Sequence, residues 1–147
     1  MNTTLPPVLV VDDEKNMRLS LQTLLSEEGY DVCLEESAEG ALRQLEQREI
    51  LLVITDARMG GASGYDLIRR VKERWPHVPV IMITAYATPK LAAEAIKAGA
   101  LDYLPKPFAP EELLHAVERC AEHYELVQEN RRLRATTERL VRTGNVP

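Results

Sequence analysis

Nowhere in this sequence do apolar residues run on for anything near the ~20 that carry a helix across a bilayer, so no membrane partner is expected. Met1 to Pro7 lack the apolar region of a signal peptide, and the cytoplasm is the expected compartment. Cysteine is scarce. Cys33 and Cys120 stand in no metal-ligand or redox spacing, which excludes a cysteine zinc site and fits a reducing environment. Positive charge is short as well: 18 Lys and Arg against 23 Asp and Glu leave a net charge of -5. With no general basic surface, this segment is not expected to bind nucleic acid. Internal repeats and low-complexity stretches are missing too. The hydrophobic content of 45%, the 28% charged residues and the length of 147 residues are those of one ordinary globular domain.

What the chain does have is a series of short apolar runs, each ending on a polar residue. Leu51-Leu52-Val53-Ile54-Thr55-Asp56 is the central one, followed by a loop from Ala57 to Gly64. A run of this kind reads as a strand buried on both faces, as in a parallel sheet covered by helices. Val8 to Val11 ends in Asp12-Asp13-Glu14, and Val80 to Ile83 ends in Thr84. Tyr30 to Glu35 alternates weakly, and Asp102 to Leu104 is a short fifth strand ahead of Pro105-Lys106-Pro107.

Between the runs lie helical patterns with their punctuation. Met17, Leu21, Leu24 and Leu25 share a face and Gly29 supplies the stop. Ser37 caps a helix carrying Ala38, Ala41, Leu42 and Leu45; Leu67, Ile68 and Val71 point inward from another that ends before Pro76. Thr88 with Pro89 opens a fourth that Gly99 closes, and Pro110 with Glu111 and Glu112 opens the last. Strands alternating with helices imply an α/β fold with a parallel sheet, right-handed crossovers and helices on both faces.

In such a sheet every strand's carboxyl end lies on one edge, where ligands bind in open α/β folds. Asp12, Asp13, Asp56, Thr84 and Lys106 then converge. Taken alone, Asp56 reads equally well as a solvated acid at a loop entry. Three carboxylates brought together repel one another, and Lys106 offers one counter-charge. A divalent cation is the natural supplement, and an oxygen-only set suits Mg2+, which keeps waters and shares its shell with phosphate. A carboxylate flanked by a hydroxyl, a lysine and a metal can act as a nucleophile toward phosphorus, with Asp56 in that role. The glycines Gly60, Gly61 and Gly64 match neither a P-loop nor a dinucleotide fingerprint and read as turn chemistry. His77, His115 and His123 are scattered and read as surface residues, Trp75 as a helix-end residue packing on the domain, and Tyr103 as an edge-strand aromatic.

Val10-Val11-Asp12-Asp13-Glu14, Ile54-Thr55-Asp56-Ala57-Arg58-Met59, Ile83-Thr84-Ala85 and Tyr103-Leu104-Pro105-Lys106-Pro107-Phe108 closely resemble the receiver domains of two-component response regulators, over about residues 7 to 122. The resemblance implies a flavodoxin-like (βα)5 three-layer sandwich with a five-stranded parallel sheet. It implies that Asp56 accepts a phosphoryl group from the phosphohistidine of a sensor histidine kinase, in a module that assists its own phosphorylation and dephosphorylation without being an enzyme. Asp13 and Asp56 would bind Mg2+, Asp12 mainly through water, and the backbone carbonyl of Arg58 would complete the set. Thr84 would move to the phosphoryl group, Lys106 would pair with it, and Tyr103 would be the switch aromatic that reshapes the face of the fourth helix, fifth strand and fifth helix. The Lys106-Pro107 bond would be cis, against a base rate of ~5%.

Two departures stand out. Gly60 followed by Gly61 occupies the place where the family commonly has proline, so a looser loop is expected. Tyr86 and Arg58 are bulky at positions that in the family influence water access to the acyl-phosphate.

Beyond the receiver, helical character persists from Glu111 to about Arg142, roughly 32 residues or ~48 Å. Leu126, Leu133 and Leu140 fall seven apart, with His123, Asn130 and Thr137 at the alternate seam position and Val127 and Val141 flanking. That pattern reads as a short coiled coil pairing two chains, or as a frayed polar helix. The expected division is a receiver over 1–122 and a helical linker over 123–147, with a homodimer formed by the linker and the face of helix 4, strand 5 and helix 5. The linker's Glu-Asn-Arg-Arg-Leu resembles the nitrogen-regulation-type activators, whose transcriptional output domains are not in this chain; a fragment or a shortened regulator is expected. One rival is a magnesium-dependent phosphohydrolase with an aspartyl nucleophile, but such enzymes carry a second Asp where Arg58 stands. A stand-alone interaction module is the other.

Overall fold

The computed structural model describes residues 5–142, with side chains as far as residue 137. The order is β1 (Val8–Val11), α1 (Lys15–Glu27), β2 (Val32–Glu35), α2 (Ala38–Gln47), β3 (Leu52–Asp56), α3 (Gly64–Arg74), β4 (Val80–Thr84), α4 (Pro89–Ala98), β5 (Asp102–Pro105) and α5 (Pro110–Arg142). The strands form one sheet in the order β2-β1-β3-β4-β5, and every pair is parallel. This is the expected flavodoxin-like sandwich with an extended terminal helix.

Strand alternation sorts the core into two layers, because successive side chains leave a strand on opposite faces. Leu9, Val11, Val53, Val80 and Met82 meet α2, α3 and α4 through Ala41, Leu45, Leu67, Ile68, Val71 and Ala95. Val8, Val10, Leu52, Ile54, Ile81 and Ile83 meet α1 and α5 through Leu21, Leu25, Leu113, Ala116 and Val117. Both faces of β1, β3 and β4 are thus covered, which is why their sequences run apolar without alternation. Strand β2 lies at the sheet's margin and is half-buried throughout. Its weaker pattern follows from that position.

The helix signals act as their chemistry dictates. The side chains of Ser37, Ser63 and Thr88 accept from the amides of Gly40, Asp66 and Leu91, at 3.1, 3.2 and 3.1 Å. Gly29 and Gly99 end α1 and α4 with φ of 92° and 120°, values that glycine adopts without a Cβ penalty. Trp75 caps α3 half-buried on the core, with the Arg74 guanidinium 4.4 Å from its ring centre.

Helix α5 is two things in succession. Up to Ala121 its inner face is core, and Tyr124 still packs against that layer while its hydroxyl donates to Glu49 Oε2 at 2.8 Å. Past that anchor Leu126 and Leu133 are 68% and 57% exposed. At ~100° per residue Leu126 lies roughly 200° around the helix from Tyr124. The leucine stripe therefore faces away from the domain's own core. The side chains of Leu140 and Val141 lie outside the described residues. Among the described residues, no helix is long and apolar enough to cross a membrane.

Candidate functional site

Because the strands are parallel, Asp12 just after β1, Asp56 at the end of β3, Thr84 at the end of β4 and Lys106 just after β5 share one edge. Each carboxylate is met by backbone amides. Asp12 is 1% exposed. Its Oδ1 accepts the Glu14 amide at 2.9 Å, its backbone carbonyl accepts the Arg18 guanidinium at 2.8 Å, and its amide donates to the Glu35 carbonyl at 3.1 Å. Asp13 is exposed, and its Oδ2 accepts the Gly60 amide at 3.1 Å, which ties the loop after β3 to the loop after β1. Lys106 spans the pair beside it, with Nζ 3.4 Å from Asp12 Oδ2 and 3.6 Å from Asp56 Oδ2. One oxygen from each of Asp12, Asp13 and Asp56 lies within 4.8 Å of the other two.

Magnitudes show what this cluster lacks. At an effective dielectric of about 20, three repulsions at no more than 4.8 Å amount to at least about 10 kcal/mol, and the two lysine contacts offset no more than about that. The lysine leaves desolvation uncovered, and the cluster's formal charge stays negative. Asp56 records this: burial, foremost, raises its carboxyl above the ordinary carboxylate range, Asp12 raises it further, and Lys106 with the amides of Ala57 and Arg58 pulls the other way. An added hard cation would remove both deficits. The donor set, all carboxylate oxygen, fits Mg2+.

Thr84 is buried at the neighbouring strand end. Its hydroxyl accepts the Tyr86 amide at 3.1 Å and its carbonyl accepts the Lys106 amide at 2.7 Å, so β4 and β5 meet the edge in register. The Lys106-Pro107 bond is cis. Tyr103 leaves β5 on the face toward α4 and is half-buried there, its hydroxyl shut from solvent beside that of Tyr65 and without a hydrogen bond of good geometry.

Other features of the edge had no clear sequence signal. The Arg58 guanidinium sits 3.9 Å from the centre of the Tyr86 ring, a cation–π pair bridging the loops after β3 and β4. Arg18 braces the Asp12 backbone from one helical turn into α1, and Gly64 folds its amide onto the Ala57 carbonyl at 3.0 Å. At the opposite edge of the sheet, the exposed His77 and His123 border one cleft of about 210 Å³ with Cys120 and Tyr124. The Cys120 thiol is buried and pushed up to about 11, chiefly by desolvation, so it is a poor nucleophile. His115 is exposed on α5.

The response regulator receiver domain model matches residues 8–118. The response regulator protein FleR of Pseudomonas aeruginosa is 40% identical over 114 residues, covering 78% of this chain and 24% of that protein. The C4-dicarboxylate transport transcriptional regulatory protein DctD of Rhizobium meliloti is 36% identical over 133 residues, covering 90% of this chain and 29% of that one. Among solved structures, the receiver domain of NtrX from Brucella abortus has a TM-score of 0.74 at 34% identity, covering 78% of this chain and 98% of its own. The beryllofluoride-activated NtrC4 receiver domain dimer, a solution structure, has a TM-score of 0.76 at 34% identity, covering 80% and 98%. The chain spans about a quarter of the length of the curated relatives it matches.

The lysine's place between two acids generates a stability prediction that needs no ligand. In urea unfolding without divalent ions, Lys106→Met lowers stability by about 1–3 kcal/mol, because a buried Asp12 and a half-buried Asp56 lose their cation. Adding Asp56→Asn to that variant recovers part of the loss. Single and double variants as stable as the parent would show that Lys106 does not hold the acids together.

Proposed function

Since the chain belongs to the family of response regulator receiver domains, we propose that Asp56 accepts a phosphoryl group from the phosphohistidine of a sensor histidine kinase. The observation that carries this reading is the position of Asp56 itself: at the end of β3, half-buried, 3.6 Å from Lys106 and grouped with Asp12 and Asp13. An Asp56 carboxylate oxygen attacks phosphorus, an O–P bond forms, the P–N bond breaks, and the imidazole leaves with the electron pair. Desolvation keeps the carboxylate poorly hydrated, and Lys106 stands ready to pair with the phosphoryl oxygens as the Asp56 charge is used. Mg2+ held by Asp13, Asp56 and the Arg58 carbonyl, with Asp12 acting through water, supplies the remaining positive charge when bound.

Thr84 is the residue that reads the product. To reach a phosphoryl oxygen its hydroxyl gives up the Tyr86 amide, and the segment from 84 to 86 cannot shift without disturbing the Tyr86 stack on Arg58. Tyr103, one strand over, feels the same change through the α4 side, so the face of α4, β5 and α5 carries the signal. Ile96 and Leu101 are half exposed near that face, at 51% and 56%, as an apolar contact for another protein surface. The phosphohydrolase alternative needs an acid where Arg58 stands, and that side chain is engaged with Tyr86.

The curated relatives include transcriptional regulators, and control of transcription is the output we assign, exerted through a domain outside this chain. We place the receiver at residues 1–122 and a pairing linker at 123–147. The seam His123, Leu126, Asn130, Leu133, Thr137 and Leu140 offers only about three heptads, with each buried leucine contributing about 1.5–3 kcal/mol. Alone that is marginal, but a helix already nucleated by the folded domain does not have to form unaided.

Incubated with acetyl phosphate and magnesium, the chain gains one phosphoryl group by intact mass. Asp56→Asn does not, and Thr84→Ala still does. Labelling of the Asp56→Asn variant would overturn the assignment. For the linker, sedimentation at micromolar concentration shows a dimer for the full chain and a shift toward monomer for Leu133→Asp and for a version ending at Glu122. If all three sediment alike, the linker takes no part in assembly.

A further inference from the structure

The first residue of α3 is a glycine whose reason is not conformational. Gly64 has no positive φ, unlike Gly29, Gly61 and Gly99, and it opens α3 directly after the Ser63 cap. Backbone conformation therefore does not call for glycine here. Space does. A Cβ on Gly64 would lie well inside contact distance of the Asp56 carbonyl oxygen, 3.0 Å from Ala57 Cα and 3.1 Å from the Asp56 carbonyl carbon. All three neighbours are backbone, so no rotamer change relieves the overlap. Gly60, in the same loop, has nothing near its own Cβ position.

What approaches so closely is the peptide that follows the acceptor. The Gly64 amide donates to the Ala57 carbonyl at 3.0 Å, so the loop from 57 to 63 returns to its own start. That closure sets where the amides of Ala57 and Arg58 face the Asp56 carboxylate, and where the Gly60 amide meets Asp13. The Ser63 cap on Asp66 fixes the helix that presents the glycine. We propose that Gly64 is a positioning residue for phosphoryl transfer: its missing side chain lets the start of α3 clasp the Asp56–Ala57 backbone and hold the acceptor and its metal ligands in register. The inference rests on the assignment of Asp56 as phosphoacceptor.

The test is Gly64→Ala in the full chain, compared with the parent for Mg2+ affinity, for phosphorylation rate with acetyl phosphate at saturating magnesium, and for cooperative unfolding. A positioning role predicts a folded variant whose Mg2+ affinity and phosphorylation rate both fall at least about tenfold. A residue that merely supports the fold would lower the unfolding midpoint and leave the affinity of the folded protein alone, and values within twofold of the parent overturn the proposal. Should the variant not fold, the parent supplies the second readout. On titration with Mg2+ the Gly64 amide resonance moves with that of Ala57 and at the same midpoint; a Gly64 resonance that stays still while Ala57 moves overturns the proposal equally. If the parent itself takes no phosphoryl group, the phosphoacceptor assignment fails, which is a different result from a parent that reacts and a variant that matches it.

Discussion

Packing three carboxylates and one lysine against the end of a dry parallel sheet is the constraint on which the rest depends. Like charges left to themselves separate, and a flexible loop would let them. Here they cannot, because Asp12 and Asp56 are rooted in strands covered on both faces and Asp13 is tied to the opposite loop by the Gly60 amide. The two-layer core is thus what keeps an electrostatically unfavourable group in place. Its rigidity acts at one edge, where a poorly hydrated carboxylate has a lysine beside it.

Much of this was legible in the residues. Covered strands need continuous apolar runs, caps need Ser or Thr before the first turn, and parallel pairing alone carries Asp12, Asp56, Thr84 and Lys106 to one edge. Other parts were not legible because they depend on the path of loops. That Gly60 presents its amide to Asp13, that Arg58 lies over Tyr86, and that Gly64 packs on the Asp56–Ala57 backbone are facts of three-dimensional closure between segments with no shared periodicity. The glycine cluster read as turn chemistry, which holds for Gly61 with its φ of 86° but misses the reason for Gly64. Likewise the count of charges does not show that burial is the foremost cause raising the Asp56 carboxyl.

Helix α5 belongs to the domain at its start and leaves it further on. Its first turns are part of the core, and its later turns carry Leu126 and Leu133 exposed. Tyr124, bonded to Glu49, marks the change between the two parts.

Whether the acidic edge takes up one cation is decided by the unfolding free energy as a function of magnesium. One site on the folded chain predicts stability rising as RT ln(1 + [Mg2+]/Kd), about 2.7 kcal/mol at a hundredfold excess over Kd, with the rise lost in Asp13→Asn. Stability that does not change with magnesium, or a rise that survives Asp13→Asn, would contradict it.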